Sequence, residues 1–320
     1  MRQAILDFPK QFAFVPVIEN APALAPKPYA LLSGMGGSHL AADILKAADP
    51  SVMLYVHSTY GLPAWPKDHF SASLFIASSY SGNTEEVIDG YEAAGKIGMQ
   101  RAVIAVGGKL LDMAKRDGVP YVQLPNTGIQ PRSALGFNAL AVAALLRRDD
   151  LTSALASLAT MLDASAHAEH GKKIAQALTR TIPIIYASVA NQAIAANWKI
   201  KINETGKSPA FYNVFPELNH NEMTGFDTRS VDAPPSDRFA FIFLRDSEDH
   251  PRIQRRMEVT AKLYRDRGFS VHELVLEGKT RFEKMCSALL VADWTALHIA
   301  EQYGLESEQV PMVEEMKRLI

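Results

Sequence analysis

The sequence predicts an α/β protein built from two consecutive doubly wound parallel sheets, each flanked by helices. Three observations lead there. Apolar runs such as Leu74-Phe75-Ile76-Ala77-Ser78 and Ala102-Val103-Ile104-Ala105-Val106 lack strict alternation, as strands covered on both faces do. These runs alternate with helical stretches, which is the rhythm of a parallel sheet. The rhythm also stops and restarts within 320 residues, a length that suits two domains of about 150 residues.

Taken in order, residues 1–28 hold Pro9, Pro16, Pro22, Pro26 and Pro28, so they predict an arm of extended chain or short helical turns lying over a domain. The first domain is expected over 29–150. Its strands are predicted at 29–33, 52–57, 74–78, 101–106 and 121–124, with helices at 38–48, 83–96, 109–116 and 132–147. An alanine-rich helical region, 151–181, opens the second domain, 151–320. Strands follow at 182–187, 240–244 and 271–276, with helices at 191–205, 252–267, 281–302 and a closing helix at 313–319. No internal repeat or low-complexity tract interrupts the chain.

Composition sets limits on function. The chain is 48% hydrophobic and 21% charged, enough to bury a core and too apolar for general disorder. The first 160 residues carry 13 basic and 13 acidic side chains and the rest carry 20 and 22, so neither half has the basic excess of a nucleic-acid binder. The single cysteine, Cys286, excludes an internal disulfide and a cysteine-based zinc site and suits a reducing compartment. The longest apolar run, 134–146, is too short to span a bilayer, and Asp7, Lys10 and Glu19 break up any signal-peptide core. The expectation is a cytoplasmic protein without a membrane or nucleic-acid partner. No metal-ligand spacing occurs, and none of the chemistry below calls for a cofactor.

Two turns carry the first functional signal. Gly34-Met35-Gly36-Gly37-Ser38 joins a predicted strand to a predicted helix, where glycines allow a ligand to approach the backbone and the helix start offers free N–H groups. It matches neither a dinucleotide fingerprint nor a P-loop. Ser78-Ser79-Tyr80-Ser81-Gly82-Asn83-Thr84 makes a second such turn, with more hydroxyls than helix capping needs. In an open parallel sheet both turns would lie beyond the carboxyl ends of strands, where ligands bind. A phosphate cradle of hydroxyls and backbone amides fits this pair of turns, and it fits a chain of near-zero net charge.

Together these turns resemble the sugar isomerase (SIS) domain. Pro131-Arg132-Ser133-Ala134-Leu135-Gly136-Phe137, Asn203-Glu204, Glu217-Leu218-Asn219-His220-Asn221-Glu222 and Val313-Glu314-Glu315-Met316-Lys317 further resemble segments of the bifunctional phosphoglucose/phosphomannose isomerase family, in matching order over residues 30–320. The resemblance implies two SIS subdomains and an aldose–ketose isomerase that interconverts glucose 6-phosphate, and mannose 6-phosphate, with fructose 6-phosphate.

The roles follow from that resemblance. Glu204 is implied as the base that moves a proton between C1 and C2. Its predicted place at a helix C-terminus agrees, because a carboxylate at the negative end of the dipole is a stronger base. The alternative is a surface glutamate paired with Lys201. His220 resembles the ring-opening acid, which in this family enters from the neighbouring subunit and so implies a homodimer. Arg132 resembles the enediolate stabiliser, a fixed charge that forks onto oxygens. Lys317 resembles the C-terminal lysine that assists at the ring oxygen. Gly37, Ser38, Ser79, Ser81 and Thr84 match the phosphate-binding positions.

Two positions depart from the family pattern. His39 brings bulk and a titratable group into the phosphate turn, and Val310-Pro311 stands where the family commonly has Thr-Pro. The missing hydroxyl bears on the mannose branch. Two other functions remain open on sequence: a non-catalytic phosphosugar-binding protein, and an isomerase of a different sugar phosphate.

Overall fold

A computed structural model describes residues 1–227 and 238–319. The chain divides into two units, Leu6–Leu162 and Met1–Ile5 with Asp163–Ile320. The predicted elements appear nearly in order. After α1 (Arg2–Leu6) come β1 (Tyr29–Ser33), α2 (Gly37–Ala48), β2 (Leu54–His57), α3 (Lys67–Ser71), β3 (Ser73–Ser78), α4 (Glu85–Lys96), β4 (Gln100–Ala105), α5 (Gly108–Asp117), β5 (Tyr121–Gln123), α6 (Leu135–Leu145) and α7 (Asp149–Met161). The second unit adds α8 (Ala168–Ala177), β6 (Ile182–Ser188), α9 (Gln192–Glu204), β7 (Phe211–Phe215), β8 (Phe239–Arg245), α10 (Pro251–Asp266), β9 (Ser270–Val275), α11 (Arg281–Gln302) and α12 (Pro311–Leu319).

In the first unit five parallel strands run in the order β2-β1-β3-β4-β5. Every residue of the central β3 is buried, which explains why its sequence does not alternate. Leu31, Phe75 and Val103 pack on one face against Val87 and Tyr91 of α4 and Leu110 of α5. α2 and α6 pack together and against the sheet on the same unit's other layer. Nearly every residue of α6 is buried, so its all-round apolar character is that of a core helix. Among the described residues no helix is long and apolar enough to cross a membrane.

The domain boundary differs from the expected 150. Leu151, Leu155 and Leu158 of α7 are buried, and α7 packs on α6 and on the 3-10 turn Phe8–Ala13, so it belongs to the first unit. The N-terminal arm divides as well. It does form short helical turns, but Phe8 and Phe12 are buried edge-to-face in the first unit's core. Residues Met1–Ile5 belong to the second unit, where Arg2 pairs with Glu301 at 2.7 Å and lies over the Trp294 ring.

The second sheet has the order β7-β6-β8-β9, again all parallel. Its core is aromatic: Tyr186, Phe215, Phe226, Phe241, Phe243, Tyr264 and Phe269 form one cluster. α11 packs against α8 and α9. β7 is a strand that the pattern did not predict. Phe-Tyr-Asn-Val-Phe sits between Pro209 and Pro216 at the sheet edge with Phe211 and Tyr212 exposed, so it lacks the buried apolar run that marks the other strands.

Candidate functional site

The strand order of the first sheet reverses between β1 and β3, the neighbours whose connections run to opposite faces, and this is where an open parallel sheet can leave a crevice. The turn after β1 is 34–36 and the turn after β3 is 79–84, so both flank that crevice. They are tied together by neutral groups. The Ser38 hydroxyl accepts from the Tyr80 amide at 3.1 Å, and the Ser78 hydroxyl donates to the Ser38 carbonyl at 3.0 Å. The Ser79 hydroxyl is 2.7 Å from that of Thr84 and accepts from the Gly82 amide at 3.1 Å. Ser81 accepts from the Asn83 amide at 3.2 Å and is exposed. Gly36 has φ +50°, a conformation that glycine adopts without strain.

Arg132 comes to this place through backbone packing. It does not open a long helix, as the sequence pattern predicts, but lies in a 3-10 turn, Pro131–Ser133, ahead of α6. A Cβ placed on Gly37 would meet the Arg132 amide nitrogen and the Pro131 carbonyl at 2.7 Å, so only glycine permits this approach. The Arg132 residue is buried, which a solvated arginine in a first helical turn would not be. Gln11 fixes the turn: its amide nitrogen donates to the Ser133 carbonyl at 2.6 Å and its oxygen accepts from the Gly136 amide at 3.0 Å. The first unit thus brings together the turns that carry Gly37, Ser38, Ser79 and Thr84 and the backbone of Arg132. His39 turns along α2 instead, its Nδ1 2.8 Å from Asp43 Oδ2.

In the second unit Glu204 is the last residue of α9, as expected, and is half-buried. Lys201 is not its surface partner. Lys201 is buried and paired with Asp293 of α11 at 2.6 Å. Gly206 closes the turn, since a Cβ there would meet the Ile202 carbonyl at 2.7 Å. Lys207 then donates to the Glu204 carbonyl at 2.6 Å and to the Gln309 carbonyl, which joins the end of α9 to the segment preceding α12.

His220 is exposed, and its neighbours in sequence hold it in place. Leu218 is buried. Asn219 donates to the Thr260 hydroxyl at 2.9 Å, and Glu222 accepts from the buried Tyr186 hydroxyl at 2.5 Å. Burial, with Tyr264 and Glu222 alongside, pushes the Tyr186 phenol far above its ordinary range, so it remains a donor to Glu222 at all working pH values. Lys317 lies on α12, exposed, 2.8 Å from Glu314, and lines an open hollow of ≈ 530 Å³ with Gln309, Val310, Pro311, Glu314 and Arg318.

Sequence reasoning missed Gln11, Lys207 and Asp293. Gln11 acts across more than a hundred residues and leaves no local trace, whereas a lysine just past Gly206 is a helix C-terminus signal open to recognition. Among the described residues no group of three or more His, Cys, Asp or Glu is placed to hold a metal ion.

Residues 167–320 match the family model of the bacterial phospho-glucose isomerase C-terminal SIS domain. The bifunctional phosphoglucose/phosphomannose isomerase of Aquifex aeolicus is 31% identical over 98% of this chain and 96% of its own. That of Caldicellulosiruptor bescii is 32% identical over 90% and 88%. Among solved structures, the C-terminal domain of glucosamine-fructose-6-phosphate aminotransferase from Francisella tularensis superposes with a TM-score of 0.73 at 13% identity. It covers 96% of this chain and 97% of that one, a likeness of fold.

Proposed function

The chain belongs to the bifunctional phosphoglucose/phosphomannose isomerase family, and we propose that it interconverts glucose 6-phosphate and mannose 6-phosphate with fructose 6-phosphate through an enediolate. The observation that supports the reading is the pair of hydroxyl-rich turns after β1 and β3, tied together through Ser38 and Tyr80, with the Arg132 backbone packed against Gly37. Hydroxyls of Ser38, Ser79, Ser81 and Thr84, the Gly37 backbone and the N-termini of α2 and α4 hold the phosphate without a basic patch.

The chemistry then needs three services. His220 and Lys317 supply and remove the protons of ring opening, giving the open-chain aldehyde. Glu204 takes the proton from C2, and Arg132 faces the negative charge that spreads over O1 and O2. Glu204 returns the proton to C1 while the hydroxyl proton passes from O2 to O1, which leaves a carbonyl at C2 and yields the ketose. C2 is planar in the enediolate, so both aldoses share one intermediate. Val310 lacks the hydroxyl of the usual threonine and weights the reaction toward the glucose branch.

A homodimer with His220 donated across the interface fits the exposure of His220 and of Met312, Val313, Met316 and Leu319 on α12. Complementation tests it. Neither Glu204→Gln nor His220→Ala is active alone, while a co-refolded equal mixture regains about a quarter of wild-type turnover, because half the dimers then hold one intact site of two. A mixture as inactive as its components removes the shared site. Sugar-phosphate binding by the wild type without turnover of any hexose phosphate removes the enzyme and leaves a binding protein. The cytoplasm suits an enzyme of sugar phosphates whose single thiol is buried.

A further inference from the structure

The second sheet repeats the topology of the first, with β6 in the place of β1 and β8 in the place of β3, so it too has a crevice at the carboxyl ends of its two central strands. The groups that meet there differ from those of the first sheet. The turn after β8 begins with Asp246, whose carboxylate is buried and surrounded by donors. Lys284 reaches one oxygen at 2.7 Å and the Glu248 amide reaches the same oxygen at 3.1 Å. Arg281 reaches the other at 2.7 Å, and Asn191, from the turn after β6, reaches it at 3.1 Å.

Four donors, two of them cationic and all converging on one anionic group, make the kind of pocket that tetrahedral oxyanions occupy at such crevices. Lys284 is itself buried, and Gly278 lies so close over it that a Cβ there would meet the Lys284 amide nitrogen at 2.4 Å. Burial works against the Asp246 charge, but the hydrogen bonds from Lys284, Glu248 and Asn191 outweigh it and hold the carboxyl below its usual range. Glu248 adds a second carboxylate at 3.1 Å from Lys284, and Asp249 a third, 3.3 Å from the Asn191 amide, its second oxygen buried without a partner among the described residues.

We propose that the β6/β8 crevice is an oxyanion site filled by the chain's own Asp246 carboxylate, closed to external phosphate in the native protein and opened to it when that carboxylate is removed. The two halves then divide one architecture, the first keeping the crevice free for a ligand and the second using it to fasten α11 to the strand ends. The inference stands on the second unit alone. It holds whether or not the first crevice binds a sugar phosphate.

The test counts inorganic phosphate sites by calorimetry and follows the thermal midpoint against phosphate concentration. Asp246→Ala gains one site over wild type, whatever the wild-type count, and its midpoint rises with phosphate more steeply than that of the wild type. Adding Lys284→Met to Asp246→Ala abolishes the gain. If Asp246→Ala folds only in phosphate, that dependence is the same result. If it does not fold at all, Asp246→Ser, which keeps one oxygen but frees most of the space, is titrated in its place. An unchanged site count in the folded variant overturns the proposal. So does loss of a wild-type phosphate site on Lys284→Met alone, which would mean that the native crevice already takes external anions.

Discussion

Gly37→Ala is the sharpest local test of how the phosphate turn and Arg132 are held together. The new methyl carbon would stand 2.7 Å from the Arg132 amide nitrogen and from the Pro131 carbonyl, all backbone atoms. Ordinary contact begins near 3.4 Å, so α2 and the Pro131–Ser133 turn must separate by about 0.7 Å, the difference of those two distances. Overpacking of that size costs roughly 1–3 kcal/mol. The larger effect falls on turnover, because shifting a charged group by the better part of an ångström from its place at the reacting carbons costs up to about 100-fold. The control is Gly98→Ala, where φ is +73° but nothing lies within 4 Å of the new carbon. It loses about 1 kcal/mol through backbone strain and keeps its kcat. The assay follows fructose 6-phosphate formation beside thermal unfolding. Gly37→Ala with full turnover and an unshifted midpoint would refute the close approach on which the first half of the site depends.

Other perturbations separate the remaining parts. Gln11→Ala removes both hydrogen bonds that brace the Arg132 turn and should lower stability by about 1–3 kcal/mol, with kcat falling more than KM rises, measured by denaturant titration and steady-state kinetics. Val310→Thr restores a hydroxyl beside the Lys317 hollow and should raise mannose 6-phosphate turnover relative to glucose 6-phosphate; an unchanged ratio argues against position 310. Burial, and then the charge of Asp246, push Asp249 above its ordinary value. Its contribution to stability is therefore complete below the unfolded pKa of about 3.9 and is lost as pH rises through the higher folded value. Asp249→Asn should stabilise the protein at pH 7 by roughly 1–3 kcal/mol, a gain that vanishes toward pH 4 in chemical denaturation.

Much of the architecture was legible because it rests on local pattern. Continuous apolar runs such as 74–78 announce strands buried on both faces, and glycine and serine turns announce helix starts at a strand end. β7 escaped because an edge strand with two exposed aromatics has neither the length nor the burial of its neighbours. The boundary at Leu162 escaped because α7 shows only that it has an apolar face, and the side on which that face packs is set by Phe8 and Phe12, far away in sequence. The candidate residues were legible as chemistry at helix ends. What positions them was not, since Gln11, Lys207 and Asp293 act through contacts between distant segments. The resemblance to a family named the roles; the geometry added that Lys201 is committed to Asp293 and that Arg132 is buried.

In the proposed mechanism Glu204 carries a proton between C1 and C2 of a hexose phosphate. The most direct measurement supplies glucose 6-phosphate to wild type and Glu204→Gln and follows both fructose 6-phosphate and exchange of the C2 hydrogen with solvent deuterium. Turnover and exchange are expected in the wild type, with a fall in both of about 100- to 10,000-fold in the variant while sugar-phosphate binding is retained. Turnover and exchange that survive Glu204→Gln unchanged would contradict that mechanism.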